Sequence, residues 1–171
     1  CREGMLFLDE INCISETLLP PMLLFLQYKQ FGGHRLQEGW VIVTAGNQKK
    51  YNRNAREFEI AILDRLLYME AEPDYRVWKR YALERQVSGA VLAYLDSHPE
   101  HFCVMEKTAE YTAVVTPRGW EDLSENLKMR EELGLTVSED VIAQFMQHPE
   151  ITQEFAAYYR FYQRYQGALD V

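Results

Sequence analysis

Met5-Leu6-Phe7-Leu8-Asp9-Glu10 constrains this chain more than any other stretch: four apolar residues run straight into two adjacent carboxylates. The run is too short to span a membrane and reads as a strand buried on both faces. Its acids then fall at the strand's C-terminal end, where open α/β sheets place their ligands. A carboxylate pair there suits a magnesium–nucleotide site. One acid can hold hydrated Mg²⁺, and the other can orient or deprotonate an attacking water. Each acid also has a plainer reading: Asp9 could simply end a strand, and Glu10 could cap the turn after it.

Three further stretches follow. Trp40-Val41-Ile42-Val43-Thr44-Ala45-Gly46-Asn47 is a short apolar, β-branched run closed by small residues and one amide. Leu63-Asp64-Arg65-Leu66 stands at the end of a helix expected from about Glu57. Thr116-Pro117-Arg118-Gly119-Trp120-Glu121-Asp122-Leu123 puts an arginine in the first turn of a later helix. An acid pair, a polar strand-end residue and two arginines form a usable phosphoryl-transfer set, because that chemistry is mostly positioning and charge neutralisation. Taken singly, Asn47 could be a turn residue, Arg65 could pair with Asp64 or Glu70, and Arg118 could pack on Trp120.

Taken in order, these stretches resemble an AAA+ ATPase, most closely the MoxR-like branch. The resemblance is carried by Gly4-Met5-Leu6-Phe7-Leu8-Asp9-Glu10-Ile11-Asn12, Val43-Thr44-Ala45-Gly46-Asn47, Leu63-Asp64-Arg65 and Thr116-Pro117-Arg118-Gly119-Trp120. It covers most of the chain. It implies that Asp9 and Glu10 are the Walker B acids, with Asp9 on Mg²⁺ through water. Asn47 would be sensor 1, Arg65 the arginine finger and Arg118 sensor 2. Arg53 and Arg56 compete with Arg65 for the finger. Asp9, Asn47 and Arg118 would face the nucleotide, and ATP and Mg²⁺ would be the cofactors. The implied protein is a cytoplasmic homo-oligomeric ring, a hexamer, that remodels a client or a partner with a von Willebrand factor A domain. The implied fold is an α/β P-loop NTPase partial core over residues 1–72, followed by an all-α helical lid over residues 73–171.

One departure stands against that pattern. No G-x-x-x-x-G-K-[ST] occurs, and Gly32-Gly33 is followed by His34-Arg35. The reading favoured is that the chain is the C-terminal part of a longer ATPase; the alternative is a degenerate ATPase that never had the loop. In the family fold, the strand around 67–69 would then lose its neighbour and 41–43 would become an open edge. An open edge invites pairing with another chain, so self-association or disorder is expected over 1–72. Two other functions stay open: a non-catalytic interaction module and a DNA-remodelling motor.

Composition bears on those alternatives. The net charge of −8 argues against tight nonspecific binding to nucleic acid. Hydrophobic residues make up 47% and charged residues 26% of 171 positions, enough for one domain or two small ones. Cys1, Cys13 and Cys103 lie far apart without a C-x-x-C, which disfavours a zinc site or disulfide framework and fits a reducing cytosol. His34, His98, His101 and His148 do not cluster by spacing and read as surface residues. No apolar stretch is long enough for a membrane helix.

The chain divides near Glu72-Pro73. Before it, strands alternate with helices. The first helix should start at the second residue of Pro20-Pro21. Residues 28–36 read as a hairpin turning at Gly32-Gly33. That hairpin is either a plain connection or, by resemblance, the pre-sensor 1 hairpin of one AAA+ group. The basic stretch 49–56 is either a solvated loop or a face toward a neighbouring subunit. After the boundary, Asp74 should cap a helix to about Arg85, with Val77, Trp78, Tyr81 and Ala82 on one stripe. A helix over 88–97 should stop before Pro99. Residues 102–115 suggest an extended arm or a hairpin around Ala109-Glu110. Further helices are expected over 118–133, closing at Gly134, over 139–147, capped by Ser138, and over 150–166. The aromatic belt of the last helix reads as packing surface.

Overall fold

The computed structural model describes residues 3–47, 55, 60–107 and 112–169. The chain forms two compact units, Cys1–Glu70 and Ala71–Val171. The break falls just ahead of Glu72-Pro73.

In the first unit, β1 (Gly4–Leu8) leads through a 3-10 turn (Ile11–Cys13) to α1 (Leu19–Tyr28). The hairpin strands β2 (Gln30–Phe31) and β3 (His34–Arg35), then β4 (Trp40–Thr44) and α2 (Ile60–Leu63), follow. β1 and β4 pair in parallel, from Gly4 opposite Trp40 to Leu8 opposite Thr44. The expectation that β1 is buried on both faces is not met. Met5 is 66% exposed and Phe7 56%, while Leu6 and Leu8, which alternate with them, are half-buried. A two-stranded sheet covered on one side shows this alternation.

α1 begins at Leu19, a residue before the prolines, rather than at the second of them. Both prolines then sit in the first turn, whose N–H groups have no helical partner anyway. Its end is turned by Lys29, in the left-handed region at φ 55, with its N–H donating to the Phe25 carbonyl at 2.8 Å. Lys29 Nζ also donates to the Trp40 carbonyl, tying the hairpin base to β4. Gly32, at φ +57, makes the hairpin turn.

The end of this unit is described in part. Of the helix expected from about Glu57, Ile60–Leu63 is described, and Glu57 itself lies outside the described residues. Of the basic stretch 49–56 only Ala55 is described, so Arg53 and Arg56 lie outside as well. Leu67 and Met69 form no strand and are 90% and 81% exposed. No strand among the described residues offers them a ladder, and an isolated extended segment is not held by its own backbone.

The second unit runs α3 (Tyr75–Glu84), α4 (Gly89–Ser97), a 3-10 turn (Pro99–His101), β5 (Val104–Lys107) and β6 (Thr112–Val115). It continues with α5 (Pro117–Glu132), α6 (Glu139–Ala143) and α7 (Pro149–Leu169). The antiparallel β5–β6 hairpin means that this unit is not all-α, although the turn around Ala109-Glu110 lies outside the described residues. Asp74 caps α3, its Oδ1 accepting the N–H groups of Arg76 and Val77 at 2.7 and 3.1 Å. α5 closes at Gly134, φ +64, where the N–H groups of Gly134 and Leu135 donate to Glu131 and Arg130 at 3.1 and 2.8 Å. That pair of bonds is a Schellman closure.

The core joins α4, α5 and α7 around Tyr94, Leu95, Trp120, Leu123, Leu127, Phe155 and Tyr159. Tyr94 meets Phe155 edge-on at 5.1 Å, and Trp120 meets Phe155 at 5.3 Å. The α7 belt is therefore packing surface along one face, while Phe161 and Tyr165 remain exposed. On α3 the inward face is Tyr75, Trp78 and Ala82 rather than the expected Val77 and Tyr81, which are exposed. Tyr75 and Trp78 pack on Phe102 at 5.6 and 5.1 Å, and helical spacing then carries Val77 outward. α6 ends at Ala143, not 147, because Gln147 leaves the helix to bridge Val114.

The surface reading holds for His34 alone. His148 is only 7% exposed; it precedes α7, and its Nδ1 accepts the Ile151 N–H at 3.4 Å. His98 and His101 stack at 5.4 Å, and His101 Nδ1 lies 2.8 Å from the Tyr94 hydroxyl. Pro99 opens the 3-10 turn that carries His101 back toward Tyr94 of α4.

Candidate functional site

Asp9 and Glu10 follow directly on β1, and Asn47 lies just past β4. The parallel register continues beyond the strands. Ala45 N–H donates to the Leu8 carbonyl at 2.9 Å, and Ile11 N–H donates to the Ala45 carbonyl at 3.0 Å. Both strands thus end at the same level, and the three polar residues share that end of the sheet. All three are exposed.

The turn carrying the acids is sharp. Glu10 has φ 52 and ψ 36, in the left-handed region that side chains other than Gly, Asn and Asp rarely adopt. Such a residue costs on the order of 1–3 kcal/mol and persists only where its surroundings hold it. Here Glu10 N–H donates to Asp9 Oδ1 at 2.9 Å, and Cys13 N–H donates to the Glu10 carbonyl at 2.8 Å. Ile11, 2% exposed, and Asn12, 6% exposed, anchor the other side. Asn12 Nδ2 donates to the Asn47 carbonyl at 2.6 Å, so the acid turn and the Asn47 turn are directly bonded. Sequence reasoning gave Asn12 no role, since neither its spacing nor a capping pattern marks it.

Among the described residues no group of three or more His, Cys, Asp or Glu converges to hold a metal. A pair of exposed carboxylates suits Mg²⁺ better than a caged ion. Magnesium keeps several waters and takes one or two carboxylates plus phosphate oxygens.

The two arginines belong to other elements. Arg65 is exposed after α2, and its Nε donates to Gln27 Oε1 of α1 at 3.2 Å. Arg118 belongs to the second unit, exposed in the first turn of α5 between half-buried Pro117 and buried Gly119. Thr116 caps that turn, its Oγ1 accepting the Gly119 N–H at 3.0 Å.

The titrating groups with shifted behaviour in the second unit serve packing. Hydrogen bonds from Lys79 and then Tyr75 hold the Asp96 carboxyl below its usual range. Burial first, then the bond to Asp96, raises the Tyr75 phenol. Burial likewise raises Tyr94, Tyr159 and the Cys103 thiol. Among the described residues no helix is long and apolar enough to cross a membrane.

No protein-family model matches the chain, and no solved structure is significantly similar to it. The chain is similar to the phenylalanine–tRNA ligase alpha subunit of Methanoculleus marisnigri, 26% identical over 111 residues. The matched stretch is 65% of this chain and 20% of that protein, so the chain spans a fifth of that relative's length. Identity and coverage of that size do not place the chain in the ligase family.

Proposed function

We propose that this chain is the Walker B-to-lid part of a MoxR-like AAA+ ATPase, which couples ATP hydrolysis in a homo-oligomeric ring to remodelling of a partner protein. The observation that carries the reading is the shared end of β1 and β4, where Asp9, Glu10 and Asn47 meet beyond a parallel pair. Ligands of open parallel sheets bind at that end. Asp9 holds the hydrated metal, and Glu10 orients and deprotonates the attacking water. Asn47 fixes the water or the terminal phosphate. Magnesium bound there would neutralise charge developing on the transferred phosphoryl group. Arg65 reaches a neighbouring subunit's nucleotide, and Arg118 couples the second unit to the terminal phosphate. The ring is a cytoplasmic hexamer, and its partner a client or a von Willebrand factor A domain protein.

A non-catalytic module of the same fold is the main alternative, since the phosphate loop is not in this sequence. A DNA-remodelling motor is weighed down by the net charge of −8. The test is phosphate release from ATP by the full-length protein that contains this chain. Release that stops when magnesium is chelated supports the reading; no release, with or without magnesium, contradicts it.

A further inference from the structure

Gly119 follows Arg118 in the first turn of α5 and is buried. Glycine is a poor helix residue, because it loses more backbone freedom on folding than any other. Its surroundings explain why no side chain stands there. A β-carbon at this position would lie 2.6 Å from the Phe145 carbonyl oxygen, a backbone atom that cannot swing aside. The segment bearing that oxygen is itself tied down: Gln147 and Val114 exchange backbone hydrogen bonds at 2.9 and 3.0 Å, and Met146 is 1% exposed. On the other side, the Thr116 hydroxyl accepts the Gly119 N–H at 3.0 Å. Trp120, fully buried, donates its Nε1–H to the His101 carbonyl at 3.1 Å. Arg118 is therefore an exposed side chain on a turn whose neighbours are fixed on several sides. Among the described residues it has no hydrogen-bond or ion-pair partner.

We propose that Gly119 is a positioning residue for Arg118. Its missing side chain lets α5 dock against the Phe145 carbonyl, and that docking sets where the Arg118 guanidinium stands. The inference rests on the reading of Arg118 as the arginine that meets the terminal phosphate. One added methyl must move the first turn by several tenths of an ångström, and a misplacement of about 1 Å can cost about 10²-fold in rate.

The test is a double-mutant cycle in the full-length protein, reading ATP turnover beside the thermal unfolding midpoint. Gly119→Ala should lower turnover about ten- to a hundredfold. Arg118→Ala should lower it at least as far, and the double variant no further than Arg118→Ala alone. Thr116 supplies a second route that does not crowd Phe145. Thr116→Val removes the cap and should also lose turnover only while Arg118 is present, and Thr116→Ser should restore it. If Gly119→Ala does not fold, the Thr116 pair decides by the same criterion. Two results overturn the positioning role and leave the site reading intact: wild-type turnover by Gly119→Ala, or a full additional loss when it is combined with Arg118→Ala. Wild-type turnover by Arg118→Ala overturns both.

Discussion

Glu10 stands in a left-handed backbone conformation at φ 52, bracketed by the buried Ile11 and the Asn12–Asn47 bond. Strain held in this way is common where a side chain must be aimed. Arg65 is an exposed side chain whose Nε donates to Gln27 Oε1 at 3.2 Å. On the proposed reading it serves a neighbouring subunit's nucleotide. In the full-length protein, Arg65→Ala should therefore slow turnover by about 10³–10⁵ without weakening ATP affinity. Mixing it with Glu10→Gln subunits should restore part of the activity. Mixed rings no more active than either variant alone would make Arg65 structural and move the role to Arg53 or Arg56. A second prediction at this scale concerns pH. Asp96 binds its proton less readily when folded, because Lys79 and Tyr75 donate to it. Its contribution is then present at neutral pH and is lost as pH falls through about 3.9, the ordinary aspartate value, and below. Solvent screens this exposed pair, so the effect is about 0.2–1 kcal/mol. Unfolding midpoints measured from pH 7 to 3 should fall less steeply in Asp96→Asn; parallel curves would deny the linkage.

At the scale of elements, local chemistry marked most helix starts. Asp74, Thr116-Pro117 and Gly134 each act through their own backbone neighbours, so their roles are readable from adjacent residues. Which face of a helix turns inward is set by distant partners and was less legible. Val77 and Tyr81 fit a helical stripe as well as Tyr75 and Trp78 do, and distant partners decide between them: Phe102 packs on Tyr75 and Trp78, and Glu121 accepts from Trp78. The early end of α6 has the same origin, because Val114 claims Gln147 from outside the helix. That the acid pair and Asn47 follow strands was legible because each closes an apolar run. Asn12 and Gly119 were not singled out, although a glycine within a helix turn was itself a signal. Phe155 tests the packing directly. Fully buried and in contact with the Tyr94, Trp120 and Tyr159 rings, it should cost about 3–5 kcal/mol as Phe155→Ala. Chemical denaturation of the chain would show it; a loss under about 1 kcal/mol would mean that the core closes over the cavity.

At the scale of the whole molecule, the two units differ in how much apolar surface they cover. The second has a continuous core, while the first leaves Met5, Phe7, Val41, Leu67 and Met69 exposed. β4 pairs with β1 on one side, and no described strand meets its other edge. The chain by itself should therefore self-associate through residues 1–72. It should also fail to bind Mg²⁺·ATP tightly, since the backbone N–H groups and lysine of a phosphate loop supply much of that affinity. Light scattering beside calorimetric titration checks both; a monodisperse monomer with micromolar affinity would oppose the two expectations together. The site reading rests most heavily on Glu10 as the group that acts on water rather than on the nucleotide. Removing such a group costs transition-state stabilisation and leaves ground-state contacts in place. The most direct measurement is ATP binding and phosphate release by the full-length protein carrying Glu10→Gln. Retained binding with phosphate release lost is the predicted result, and phosphate release at the wild-type rate would contradict the account.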